Sequence, residues 1–147
     1  MLTIEGEHSL SAEVGTCWAK LTDPQFLTGC ISNIESVVQS QPDQVRFKLH
    51  PGVSFVRGSL DVTLQIQKIE SGKSARYWVH SQGIGSSSDV EALLTLKPVE
   101  NGCHLHWTVE IKSLGGLLRA LPQGLVKASA QKVIGDIWSA VEKKLQI

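Results

Sequence analysis

The sequence lacks several features that define large protein classes. Its 14 basic and 14 acidic residues balance to a formal net charge of zero at pH 7, so no global positive field exists to attract nucleic acid. No segment approaches the ~20 consecutive apolar residues of a membrane-spanning helix. The first residues carry Glu5, Glu7 and His8, where a secretory signal peptide would have a basic and then an apolar stretch. We therefore expect a cytoplasmic protein that does not bind nucleic acid.

Cysteine is also scarce. The number and spacing of Cys17, Cys30 and Cys103 match neither a disulfide framework nor a zinc knuckle. We interpret them as small buried side chains in a reducing compartment, with a reactive thiol as the alternative. His104 and His106 form an H-x-H pair, but no third ligand lies nearby in the sequence, which favours solvent-facing side chains over a zinc site. We expect no metal and no cofactor.

Length and composition fit one globular domain covering residues 1–147. Hydrophobic residues make up 41% of the chain and charged residues 19%, which is typical of a folded domain and not of a disordered one. A chain of this size buries roughly two-thirds of its unfolded surface, enough for a sizeable core. We find no linker, fixed-period repeat or low-complexity tract that would divide it.

Hydrophobic spacing indicates the order of the elements. A strand near residues 2–6 comes first, and two short helices follow it. Ser11 is the predicted N-cap of the first helix, and Asp23 caps the second, with Pro24 at its first position. From 34 to 111 the period changes to two, which predicts about six consecutive antiparallel strands joined by short turns.

The last part of the chain is predicted to be helical. A proline inside a helix costs ~3 kcal/mol, so we expect a long helix from Gln123 to Gln146, just after Pro122. Residues 117–121 would then form either a separate turn or a bent first segment. The predicted inner stripe of the long helix comprises Val126, Ala130, Val133, Ile137 and Val141, with Ile134, Trp138 and Leu145 beside them.

Order and periodicity together predict an α+β architecture. Each strand has one apolar face, so one side of the sheet must be covered, and only the last helix is long enough to cover it. A twisted sheet that curls around one helix leaves a gap near one end. That gap is a natural place for an apolar ligand.

One segment also resembles a known family. Residues 17–31, reading Cys-Trp-Ala-Lys-Leu-Thr-Asp-Pro-Gln-Phe-Leu-Thr-Gly-Cys-Ile, are similar to the signature of the G-subunit family of carbon monoxide dehydrogenase. Gly6-Glu7-His8 is similar to the first strand of that family, and residues 56–60 resemble its Phe-Arg-Gly-Thr strand. Ser32-Asn33 stands where the family has Pro-Gly, so the turn at that point is expected to differ.

The resemblance implies a fold and a role. The fold is the START-like helix grip: a curved antiparallel sheet of about seven strands around a long C-terminal helix, with two short helices after strand 1. The role is that of a non-catalytic accessory protein that helps to assemble a molybdenum-type carbon monoxide dehydrogenase or to recruit it to the inner face of the membrane. The implied partners are the other components of that enzyme, the membrane surface, and an apolar lipid-like or quinone-like molecule.

Two groups of residues are candidates for the ligand site. Aromatic side chains from different elements are expected to share the inner face, where they either line a pocket or simply fill the core. Leucines around Pro122 are interpreted as a lid or, alternatively, as ordinary helix packing. The candidate ligand-binding residues are Phe26, Phe47, Phe55, Tyr77, Trp107, Leu117, Leu121 and Leu125.

Other functions stay open at this stage. Fold alone does not decide between a carrier and a cyclase- or hydrolase-type enzyme, and a protein-interaction module with a filled core is a third possibility. An enzyme needs an acid–base pair inside the cavity, whereas the inward strand positions are apolar. We therefore expect no buried carboxylate–histidine pair on the inner surface. The inward positions are Val45, Phe47, Leu49, Leu60, Val62, Leu64, Val90, Ala92 and Leu94.

Overall fold

The computed structural model describes residues 2–50 and 58–145. The candidate residue Phe55 and the family-like residues 56 and 57 lie outside these ranges. The strands are β1 Leu2–Leu10, β2 Ile34–Ser40, β3 Gln44–Leu49, β4 Leu60–Glu70, β5 Ser74–Gly83, β6 Ser86–Val99 and β7 Gly102–Gly116. The helices are α1 Val14–Leu21, α2 Pro24–Cys30 and α3 Gln123–Leu145, with a short 3₁₀ turn at Leu117–Ala120.

Within the described ranges, seven strands form one antiparallel sheet in the order β1-β7-β6-β5-β4-β3-β2. Strands β2 to β7 follow one another as hairpins, because each pairs with its successor in the chain. The first strand pairs with the last, from Leu2 opposite Ile111 to Leu10 opposite Cys103. The predicted α+β architecture, with two short helices after strand 1 and one long C-terminal helix, is confirmed.

The start of α2 follows the sequence prediction, whereas the start of α1 does not. Asp23 accepts a hydrogen bond from the backbone N–H of Gln25 at 3.0 Å, and Pro24 occupies the first helical position. The predicted Ser11 cap of α1 is wrong: Glu13 holds the cap position and makes no side-chain cap bond. Strand β1 stays paired with β7 as far as Leu10, so the next residues are needed to turn the chain away from the sheet.

Helix α3 begins directly after Pro122, so the preceding residues form a separate turn. Its inner stripe runs through Val126, Ala130, Ile134, Ile137, Val141 and Leu145. Val133, predicted to belong to this stripe, is 56% exposed. The helical repeat explains this difference. Steps of four, four, three, four and four residues from Val126 stay on one face of the helix, and the second step reaches Ile134 and not Val133.

Two groups of buried side chains cover the apolar face of the sheet. The larger group lies between α1, α3 and the β1-β7-β6 half, and includes Leu105 and Val141. The smaller group lies on β3 and β4, with Leu27 and Ile31 packed against it. The long helix therefore covers only part of the sheet, and α2 contributes to the cover over β3 and β4. None of the helices in the described ranges is long and apolar enough to cross a membrane.

Alanine substitutions at Gly135 and Gly102 are expected to change the free energy of unfolding in opposite directions. A Cβ at Gly135, inside α3, would meet no atom within 4 Å, whereas a Cβ at Gly102 would collide with the carbonyl oxygen of Leu10. We expect Gly135→Ala to raise the free energy of unfolding by about 0.5–1 kcal/mol, because alanine loses less backbone entropy in a helix. Gly102→Ala should lower it. Urea denaturation measures both, and a shift of both variants in the same direction would contradict the packing described here.

Candidate ligand cavity between the sheet and the long helix

A cavity of about 140 Å³ lies where the helices meet the middle of the sheet. Each of α1, α2 and α3 contributes to its wall, together with strands β5, β6 and β7. The inner faces of the strands and the inner stripe of α3 converge here and supply apolar side chains, whereas Leu93 borders the space from the outer-facing parity of β6 and is 37% exposed. The lining residues are Leu21, Leu27, Tyr77, Ala92, Leu93, Leu94, Trp107, Val109, Ile134, Ile137, Trp138 and Val141.

Tyr77 carries the one hydroxyl group of this wall, and the fold already uses it. The hydroxyl donates a hydrogen bond to the backbone carbonyl of Leu21 at 2.7 Å, which ties strand β5 to the end of α1. Desolvation by burial raises the pKa of Tyr77 above its ordinary value, so the phenol stays neutral. The wall therefore presents almost only carbon to a ligand.

Trp107 forms part of the wall through its register with β1. It lies opposite Gly6, and a Cβ at Gly6 would approach the indole ring to 2.5 Å. Glycine at this position gives the ring room to lie against the strand. The indole Nε1 is buried and has no hydrogen-bond partner among the described residues. A buried N–H without an acceptor is costly, so this donor stands out in an apolar region.

A histidine lies beside the two tryptophans of the wall. The His8 ring stacks on Trp138 with 4.5 Å between centroids and lies 6.3 Å from Trp107. Its Nδ1 is 3.2 Å from a carboxylate oxygen of Glu142 on α3. This carboxylate–histidine pair is only half-buried, and neither residue lines the cavity, so it is not the buried pair that the sequence predicts to be absent from the inner surface. The alternation of β1 puts His8 on the same face as Ile4 and Leu10.

The candidate aromatic residues have different positions. Tyr77 and Trp107 lie in the cavity wall. Phe26 is half-buried at the meeting of α2 and α3, with the ammonium groups of Lys20 and Lys144 within 6 Å of its ring centre. Phe47 is buried in the smaller core group on β3. Of the four candidate aromatics that the structure describes, two therefore border the cavity.

The candidate leucines lie away from this cavity, on the surface. Leu117 is 67% exposed, Leu125 50% and Leu121 40%. The backbone N–H of Leu117 donates to the carbonyl of Gly85 at 3.0 Å, which places the 3₁₀ turn against the β5–β6 turn. We call these three exposed side chains the leucine patch.

Sequence reasoning misses most of the wall. Spacing assigns Ile134, Ile137 and Trp138 to the inward side of the long helix and not to a site. Periodicity shows which face of an element is inward, but it does not show at which level along that face the packing leaves a gap. The one available signal is that Tyr77 and Trp107 share the inner face of the sheet.

The two histidines on the outer face of the sheet lie beside carboxylates of the neighbouring strand and, among the described residues, not in a metal-binding cluster. His104 and His106 point away from the core, 3.8 Å and 3.7 Å from the carboxylates of Glu7 and Glu5 on the neighbouring strand. Across residues 2–50 and 58–145, no three potential ligands from histidine, cysteine, aspartate and glutamate come together as a metal site would require. These surface pairs are worth about 0–1 kcal/mol each.

The hydrogen bond of Tyr77 leads to a test of the wall. Tyr77→Phe should lower the free energy of unfolding by about 1–2 kcal/mol, because the Leu21 carbonyl loses its donor. The folded protein holds the phenolic proton more tightly than the unfolded chain does. The stability that this provides is complete below the ordinary pKa of 10.0 and is lost as pH rises beyond it. The difference in the free energy of unfolding between the parent and Tyr77→Phe should therefore become smaller in alkaline solution.

Tyr77 is the only tyrosine in the chain, so the ultraviolet absorbance of tyrosinate reports on it alone. In the folded protein this absorbance should appear at higher pH than in the urea-unfolded protein. Identical titration curves for the two states would contradict a buried hydroxyl.

Comparisons with known proteins agree with this architecture. A conserved protein from Geobacillus kaustophilus is 25% identical, with a TM-score of 0.86 over 98% of this chain and 95% of that one. A START superfamily protein from Mycobacterium smegmatis is 13% identical, with a TM-score of 0.69 over 97% and 96%. No curated protein matches the sequence. The model of the CoxG family, the G-subunit family of carbon monoxide dehydrogenase, matches residues 6–146, and the chain therefore belongs to the CoxG family.

Proposed function

We propose that this protein is a non-catalytic accessory protein that holds an apolar molecule in the cavity between its sheet and α3. The observation that supports this most directly is the chemistry of the wall. Eleven of its twelve residues have side chains without a hydroxyl, amide or charged group, and the hydroxyl of Tyr77 is already bonded to Leu21. Such a wall binds by burying apolar surface, at roughly 25 cal/mol per Å².

The alternative, a cyclase- or hydrolase-type enzyme, requires an acid–base pair that reaches the ligand. His8 and Glu142 form such a pair, but Trp107 and Trp138 are the members of this aromatic group that face the cavity. The described wall offers a ligand no titratable group other than the neutral Tyr77. These observations favour binding over catalysis.

The shape and chemistry of the wall favour a quinone-like over a purely aliphatic lipid-like ligand. The rings of Trp107 and Trp138 are inclined by only 21° to each other, and flat rings stack well against such walls. A cavity of this order holds one small ring, so any alkyl chain extends beyond it.

Filling the cavity tests the binding proposal. Ala92 lines the cavity on β6, and Ala92→Leu would add three carbon atoms to that space. With decylbenzoquinone as the probe, the parent should show quenching of tryptophan fluorescence, because two of its four tryptophans line the cavity. Ala92→Leu should weaken probe binding at least tenfold.

The matched control is Ala128→Leu, the same change at an exposed position of α3. It should bind the probe like the parent. If the parent does not bind, or if both variants lose binding equally, the cavity is not the ligand site. Native mass spectrometry of the purified protein provides a second measurement, in which a retained apolar molecule should be absent from Ala92→Leu.

We further propose that the leucine patch attaches the protein to the surface of a membrane, at its inner face. Arg119 and Lys127 lie beside the patch in the sequence, and the chain has no carboxylate between Ile111 and Gly135. Exposed leucines with neighbouring cations suit a bilayer that contains anionic lipids. Family membership supports the further proposal that this attachment helps to assemble or recruit a molybdenum-type carbon monoxide dehydrogenase.

Vesicle flotation tests the membrane proposal. The protein should float with vesicles of phosphatidylglycerol and phosphatidylcholine, and less with phosphatidylcholine alone. The double variant Leu117→Glu and Leu121→Glu should remain unbound. Val38→Glu is the control, because Val38 is 56% exposed on the distant edge strand β2. Equal flotation of the double variant and the control would contradict the role of the leucine patch.

A further inference from the structure

Two of the three cysteines meet inside the protein. Cys17 on α1 and Cys103 at the start of β7 are both completely buried. Their sulfur atoms are 2.8 Å apart, about 0.8 Å more than the bond length of a disulfide. The third cysteine, Cys30, is buried on α2 and makes no such contact. Nothing in the ligand site uses the pair, since neither residue lines the cavity.

The pair is protected while α1 is docked. Burial raises the pKa of the Cys17 thiol to about 12, and the adjacent sulfur of Cys103 adds to this because it disfavours a negative charge on Cys17. Because the thiolate is the reactive form, oxidation requires α1 to lift from the sheet. This helix has eight residues and no side-chain bond at its N-cap, whereas β7 is held by β1 on one side and β6 on the other. Cys17 is therefore the residue that opens to solvent first.

We propose that Cys17 and Cys103 form a disulfide when the protein meets hydrogen peroxide, and that this bond fixes α1 to the sheet. The thiolate of Cys17 first attacks the peroxide, which breaks the O–O bond and gives a sulfenic acid and hydroxide. The thiol of Cys103 then displaces water from that sulfenic acid. In total, two thiols are oxidised to one disulfide while one peroxide is reduced to two waters.

The bond has a consequence for the cavity. Leu21, at the end of α1, lines the wall, and its carbonyl accepts the hydrogen bond of Tyr77. Fixing α1 at Cys17 therefore fixes this part of the wall as well. The formation of the disulfide itself does not depend on whether the cavity holds a ligand, so its test is independent of the proposed function.

The experiment compares the reduced, full-length protein before and after treatment with hydrogen peroxide. The treated protein is denatured, reacted with N-ethylmaleimide and weighed intact. After subtraction of one maleimide adduct, located at Cys30, we expect the chain to be about 2 Da lighter than the reduced, unalkylated protein, because the disulfide removes two hydrogens. Peptide mapping without reductant should give one cross-linked peptide that contains Cys17 and Cys103.

Two variants sharpen the result. Cys30→Ser, which keeps the pair, should lose the same mass and leave no thiol to alkylate. Cys17→Ser should form no intramolecular disulfide. The proposal is overturned if the treated parent keeps three alkylatable thiols, or if its cross-linked peptide contains Cys30. The masses and cross-linked peptides of the parent and of Cys30→Ser decide between the outcomes. Poor folding of Cys17→Ser would therefore not affect the conclusion.

Discussion

The structure depends on one constraint: a seven-stranded sheet with a single apolar face has to be covered by helices that are too small to cover it evenly. Helix α3 covers the β1-β7-β6 half, and α2 contributes to the cover over β3 and β4. Tyr77 and Leu27 pack against both groups of buried side chains, and both line the cavity. The cavity therefore lies at the boundary between the two groups of buried side chains, which do not join into one continuous core.

A space of this kind has an energetic consequence. A space of about 140 Å³ with apolar walls leaves the side chains around it without packing partners on one side, which lowers the stability of a small domain. A molecule that fills the space recovers part of this cost and stabilises the folded protein through binding. Since the hydroxyl of Tyr77 is already bonded within the protein, filling the cavity need not break that hydrogen bond.

The sequence is most informative where structure is local. Alternation places the strands and their inward faces, and the Asp23-Pro24 pair locates the start of α2. The family is visible in one short segment. The site is harder to predict, because a gap is a property of several elements at once. Tyr77 and Trp107 are found through their shared face, whereas Trp138 and His8 depend on how α3 lies across β1, which periodicity does not encode.

The pairing of β1 with β7 has a consequence for how the protein folds. These strands are roughly a hundred residues apart along the chain, so their association closes a long loop and is entropically costly until most of the sheet exists. The hairpins from β2 to β7 involve much shorter separations and are free to form earlier. Trp107 reaches its final position only when Gly6 arrives beside it. The wall of the candidate cavity is therefore among the last parts of the molecule to form, and under the proposed function a nascent chain cannot take up an apolar molecule before folding is nearly complete.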